Sequence, residues 1–300
     1  MKFPFQEEPP AKTLRCPLPV ETPQLTGAEF AARYRTARVG GDFFDFVRVS
    51  ESRVVFLLMD VAGRREEALD IAAVTQQVLR DEAKRRFTAA AFNEAEAVTD
   101  LLLELNRAII RAAGGVRCAP AFLGSYNSAF GMLHYCNAGH TPGLLKDSDG
   151  VTELAPTGLP LGLFTHTTND AQVCVLRPGA LLVLVSKGIV ESRVGSHDFG
   201  LERVIELLHS RSFTSAEAAC NAVVQAVWDY VEQPSHFGPK LYIPGLSPKR
   251  TQNDTTAVAA RHSAHMSGHR SGHKNGYSTI RPRDGTVTFG SAGLRGRASR

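Results

Sequence analysis

The chain has 300 residues, 43% of them hydrophobic, and a formal net charge of +4 at neutral pH. Such a length supports one large domain or two small ones with a sizeable core. The longest apolar runs, 54–59 and 180–185, fall far short of the ~20 residues that span a bilayer, and the opening ten residues have no signal-peptide core, so a soluble, cytoplasmic protein is expected.

In chain order, residues 1–25 are rich in proline and polar side chains and read as extended. Strands follow at 29–37, 43–49 and 53–60, where β-branched and aromatic residues concentrate. Residues 66–80 read as a helix with Ile71, Val74 and Val78 on one face. Residues 94–113 read as a second helix, because Val98, Leu102, Leu105 and Ile109 step by four, three and four. Gly114-Gly115 supplies its stop. The period then changes, and 121–126, 130–136, 143–146, 173–176 and 181–185 read as short strands. Helices return at 199–209 and 216–231, the latter opened by Thr214-x-x-Glu217, a capping box. Trp228 shares a helix face with Val224 and Val231 and is expected in the core. Residues 232–253, with four prolines and two glycines, form a loop before a closing strand at 255–260.

Three segments result: an extended stretch at 1–25, a folded domain at 26–261 and a tail at 262–300. The tail, mostly His, Ser, Gly and Arg, cannot bury enough surface to offset the entropy of ordering, and disorder is expected. Residues 261–300 carry eight Lys or Arg against one Asp, a charge of +7, which leaves −3 on the body. His262, His265, His269 and His273 are spaced to suit a transition metal or an acidic surface, but no helix former supports the spacing. A flexible basic linker is the simpler account, and any nucleic-acid contact would be nonspecific and salt-sensitive. Cys16, Cys118, Cys136, Cys174 and Cys220 are odd in number and widely spaced, with no Cys-x-x-Cys pair, which points to free thiols in a reducing compartment. Strands and helices that arrive in blocks favour an α+β layered fold over a doubly wound sheet.

Six segments bear on chemistry: Gly40-Gly41-Asp42-Phe43-Phe44-Asp45; Asp60-Val61-Ala62-Gly63; Asn137-Ala138-Gly139-His140-Thr141-Pro142; Gly158-Leu159-Pro160-Leu161-Gly162-Leu163; Ser186-Lys187-Gly188-Ile189-Val190-Glu191; and Asn253-Asp254-Thr255-Thr256. Asp42, Asp60 and Asp254 each sit beside an apolar strand, next to Gly or a small polar residue. Oxygen donors at strand ends suit Mg²⁺ or Mn²⁺. Taken singly, each is equally a turn aspartate satisfying local backbone donors. His140 is either a catalytic acid or a hydrogen-bonding residue of a Gly-rich turn.

Together and in this order the segments resemble the SpoIIE/RsbU-like bacterial branch of the metal-dependent (PPM, type 2C) serine/threonine protein phosphatases. That branch reads GGDxxD, DVSGHG, NAGHNPP, GxPLGL, TDGxTE and DDxT, and the resemblance covers residues 27–261. It implies a four-layer αββα sandwich: two packed, mainly antiparallel sheets flanked by helices. It also implies two Mn²⁺ or Mg²⁺ ions and hydrolysis of phosphoserine or phosphothreonine by a metal-activated water, with no other catalytic side chain. Asp42, Asp60 and the Val61 carbonyl would hold one ion, and Asp60 and Asp254 the second. The implied partner is a phosphoprotein, for example an anti-sigma-factor antagonist. With only about 25 residues ahead of the domain, no upstream sensor is expected.

Two departures matter. Lys187 stands where the family has the aspartate of TDG, expected to be a ligand of the second ion, and a protonated lysine does not ligate a metal. Its ammonium replaces that ion by pairing with Asp60 and Asp254, or the site tolerates it, or it points away. Glu191 and Asp198 are the acids placed to substitute for the lost ligand. The first alternative makes the protein a catalytically impaired phosphatase fold that binds a phosphoprotein or regulator. After Gly63 come Arg64 and Arg65, at a helix start where anions are favoured. They are either a phosphate site or solvated charges paired with Glu66, Glu67 or Asp70.

Overall fold

A computed structural model describes residues 15–35, 41–89, 91–166, 169–232 and 254–263. The tail beyond 263, the 233–253 loop and residues 36–40 lie outside the described residues. The elements are β1 (Ala28–Arg35), β2 (Asp42–Arg48), β3 (Arg53–Asp60), α1 (Arg65–Phe87), α2 (Glu94–Ala113), β4 (Ala121–Asn127), β5 (Met132–Ala138), β6 (Gly143–Asp147), β7 (Gly150–Leu154), β8 (Gln172–Val175), β9 (Leu181–Val185), α3 (Lys187–Val190), β10 (Arg193–Val194), β11 (His197–Asp198), α4 (Leu201–Ser210), α5 (Ala216–Glu232) and β12 (Thr255–His262).

Two five-stranded antiparallel sheets form, in the orders β1-β12-β9-β6-β7 and β2-β3-β4-β5-β8. The alternation of side chains along β3 shows how they stack. Val55, Leu57 and Met59 face the α1/α2 layer. Val54, Phe56 and Leu58 face the second sheet. In β9, Leu182 and Leu184 point to the inter-sheet core, while Leu181, Val183 and Val185 point to α4 and α5. Both faces of these strands are covered, which is why they read as unbroken apolar runs. The result is the αββα layering. Aromatic rings stack in its middle layer: Phe122 lies on Tyr135 at 5.2 Å and on Phe56 at 6.3 Å.

Local signals act as read in some places and not in others. Asn93 caps α2 through its side chain, and Gly114, at φ 65, closes it. At α5, Ser215 and not Thr214 accepts the Ala218 N–H at 3.0 Å, while Glu217 pairs with Arg33. Trp228 is half-buried, with the Arg35 guanidinium 3.7 Å over its ring, and so is not a core residue. The α1 helix runs seven residues past 80, and β7, α3, β10 and β11 carry no signal strong enough to read beforehand. All five cysteines are free thiols. Among the described residues no helix is long and apolar enough to cross a membrane.

Candidate metal centre

The β2–β3 ladder places Asp42, the first residue of β2, directly opposite Asp60, the last of β3. The backbone beyond them is fixed on both sides. Val61 N–H donates to Gly41 O (3.1 Å), Asp60 N–H to Pro120 O (3.0 Å) and Ala62 N–H to Cys118 O (3.0 Å). Gly41 has to be glycine here, because a Cβ would lie 2.3 Å from the Val61 carbonyl oxygen. The second aspartate of the first motif, Asp45, turns the other way. It is buried and takes a two-pronged contact from Arg80 of α1 at 2.7 and 3.1 Å, so its role is to tie helix to sheet.

The other sheet supplies the facing corner. Asp254 is buried immediately before β12, and the Tyr34 hydroxyl on β1 donates to its Oδ2 at 2.8 Å. Thr256 of β12 reaches across the sandwich and donates to Asp42 Oδ2 at 2.7 Å. Ser186, just past the end of β9, lies near enough to the Asp42 carboxylate for its hydroxyl to pull that carboxyl's pKa down. Sequence reasoning gave Tyr34, Ser186 and Thr256 no part; the signal was the hydroxyl type at strand positions that end beside aspartates.

The electrostatics follow from this crowding. Burial, and then repulsion from Asp60, push the Asp42 carboxyl well above its ordinary range, against the two hydroxyls that pull it down. Burial raises Asp60 too, opposed first by the positive charge of Lys187. Tyr34 is pushed up by burial and by Asp254. Cys118 lies close enough to Asp60 for that charge, after burial, to raise its thiol.

Lys187 opens α3, half its side chain in solvent, and forms an ion pair with Glu191 at 3.3 Å. Its charge reaches Asp60, and so does that of Glu191. Asp198 is held by Arg193 in the β10–β11 ladder. Arg64 and Arg65 are exposed, and Arg65 lies within electrostatic reach of Tyr34. Two carboxylates that the sequence offered them are engaged elsewhere, Glu67 by Arg117 at 2.9 Å and Asp70 by Arg15 at 3.9 Å.

His140 is buried in its turn. Its N–H donates to Asn137 Oδ1 at 2.8 Å, and its Nδ1 lies 3.0 Å from Thr141 Oγ1 and 3.1 Å from Thr141 O. Thr141 Oγ1 gives its own proton to Val185 O, so Nδ1 carries the imidazole proton and the buried Nε2 is a lone pair without a partner among the described residues. Burial lowers its pKa to about 4. Among the described residues, no three His, Cys, Asp or Glu side chains converge tightly enough to hold an ion together.

Two antiparallel sheets with helices on both outer faces are the fold of PP2C-type phosphatase domains. The chain belongs to the SpoIIE (Stage II sporulation protein E) family, whose sequence profile matches residues 50–236. It is 22% identical to Protein IcfG of Synechocystis over 246 residues, which is 73% of this chain and 38% of that protein. Among solved structures it resembles the RsbU and RsbW domains of a Mycobacterium tuberculosis protein, with a TM-score of 0.60, 23% identity, and coverage of 83% of this chain and 63% of that one. The catalytic domain of the serine/threonine phosphatase PstP, solved with two manganese ions, matches with a TM-score of 0.53, 13% identity, and coverage of 79% and 98%. The chain thus spans less than two thirds of IcfG and of the tuberculosis structure.

Proposed function

We propose that this protein is a Mn²⁺- or Mg²⁺-dependent phosphatase acting on phosphoserine or phosphothreonine of a signalling protein. The observation that carries the reading is the Asp42–Asp60 pair, two carboxylates opposed across a ladder and both driven toward neutrality by burial. Such a pair is relieved by a cation. Two carboxylates, the Val61 carbonyl and water form a donor set that suits Mg²⁺ or Mn²⁺, which needs only one or two carboxylates. An ion held there supplies Lewis-acid activation of water and offsets the charge of the phosphate. The protein's part is to hold the donors still: Gly41 lets the Val61 carbonyl approach, and Ser186 and Thr256 orient Asp42. Arg64 and Arg65, at the exposed start of α1, are placed to draw the phosphate in. An anti-sigma-factor antagonist is the substrate class that the family resemblance favours.

A second reading rests on Lys187. At the Asp254 corner a half-exposed ammonium stands where the family resemblance puts a ligating carboxylate. Its charge falls on Asp60, while its ion pair runs to Glu191 and not to the aspartates as the sequence suggested. On that reading one ion binds, turnover is slow, and the protein serves to bind a phosphoprotein. Turnover of a phosphopeptide with excess Mn²⁺, abolished by EDTA, establishes the first reading. Mn²⁺ binding without turnover establishes the second.

A further inference from the structure

We propose that Thr256 and Ser186 are positioning residues that latch Asp42 from the opposite sheet. The two hydroxyls belong to neighbouring strands and are tied to each other: Ser186 N–H donates to Thr256 O at 2.9 Å, and Thr256 N–H donates to Ser186 Oγ at 3.0 Å. Both side chains are fully buried, at 0% exposure, so each hydroxyl proton must find an acceptor inside the protein. They share one, the carboxylate of Asp42 on the far sheet. The Thr141 hydroxyl donates to Val185 O, so the NAGH-type turn pins the same strand end one residue earlier.

The arrangement has a specific consequence. Asp42 begins β2, an edge strand bonded on one side to β3. Its backbone belongs to one sheet, while its carboxylate is oriented by the other. The angle that Asp42 presents to Asp60 is therefore set by how the two sheets stack. Buried partners of a ligating carboxylate orient it and are worth about 10- to 100-fold in metal affinity. This inference rests on the reading of Asp42 as an ion ligand.

The test is calorimetric titration of the full chain with Mn²⁺, beside thermal unfolding without metal. Thr256→Val keeps the side-chain shape and removes the donor; Thr256→Ser restores it; Ser186→Ala removes the second donor. The expected result is Mn²⁺ affinity about 10- to 100-fold weaker in Thr256→Val and in Ser186→Ala, and recovered in Thr256→Ser. Wild-type affinity in a folded Thr256→Val or Ser186→Ala protein, with only the unfolding temperature lowered, overturns the latch and leaves the metal centre standing. A folded wild type that binds no Mn²⁺ overturns the centre and the latch with it. Should Thr256→Val not fold, Ser186→Ala decides by the same criteria.

Discussion

The acidic end of the sandwich has two corners, and they are built differently. At the β2–β3 corner, Asp42 and Asp60 face each other across a ladder, with Lys187 supplying a positive charge to Asp60 only from outside the strand pair. At the β9–β12 corner, Asp254 is held by the Tyr34 hydroxyl, and the residue entering α3 is itself a cation. The first corner calls for an ion from solution. The second has a lysine at its entrance whose ion pair runs to Glu191 and whose charge also reaches Asp60. The two corners thus differ in charge at a single position, Lys187.

The largest effect is expected at the first corner. Asp60→Asn should lower Mn²⁺-dependent phosphopeptide hydrolysis by about 1000-fold, the several kcal/mol that metal-ion stabilisation of developing charge supplies. Equal turnover in the variant would show that this corner does not hold the ion.

Next comes acid, acting through His140, whose turn is tied to Val185 at the entrance to the second corner. In the unfolded chain a histidine titrates near 6.5; here burial lowers it to about 4. Protons therefore bind the unfolded state first. The stability that neutral His140 provides is complete above pH 6.5 and is lost as the pH falls from 6.5 through 4, up to ~3 kcal/mol. Urea midpoints of wild type and His140→Gln at pH 7 and pH 4.5 check this: the wild type should lose more on acidification.

Gly41→Ala should cost ~1–3 kcal/mol, because its Cβ meets the Val61 carbonyl at 2.3 Å and the strand ends must part. Chemical denaturation reads that loss, and weaker Mn²⁺ binding should accompany it. The smallest effect answers the comparison most directly. Lys187→Asp should raise Mn²⁺-dependent turnover by about tenfold or more and add a second bound Mn²⁺ equivalent. Unchanged stoichiometry and rate would mean that Lys187 is incidental to the second corner.

Much of this was legible in the amino-acid sequence, for identifiable reasons. The helical period of 94–113 and the short β-branched and apolar runs at 53–60 and 181–185 form α2, β3 and β9 at those bounds. The four-layer sandwich followed from the ordered motifs. The partners of the aspartates were not legible. Thr256 meets Asp42 only because two sheets stack, and no spacing along the chain records that contact. Nor did the sequence assign Asp45 a role; alternation along β2 turns it toward α1 and Arg80. Short elements such as β7 and α3 are formed by their neighbours more than by their own composition.

The position of β12 has a consequence in time. It lies between β1 and β9, pairing Ala28 with His262, so β1 waits for a partner strand made much later in translation. More than two hundred residues must be made in between, on the order of 10–40 s of translation. Throughout that interval the nascent chain can hold the β2–β3 corner, but it has neither Asp254 nor Thr256. The emerging protein therefore carries the Asp42–Asp60 pair before Asp254 and Thr256 exist, and β12, the last of the described strands, is the one that completes the acidic end.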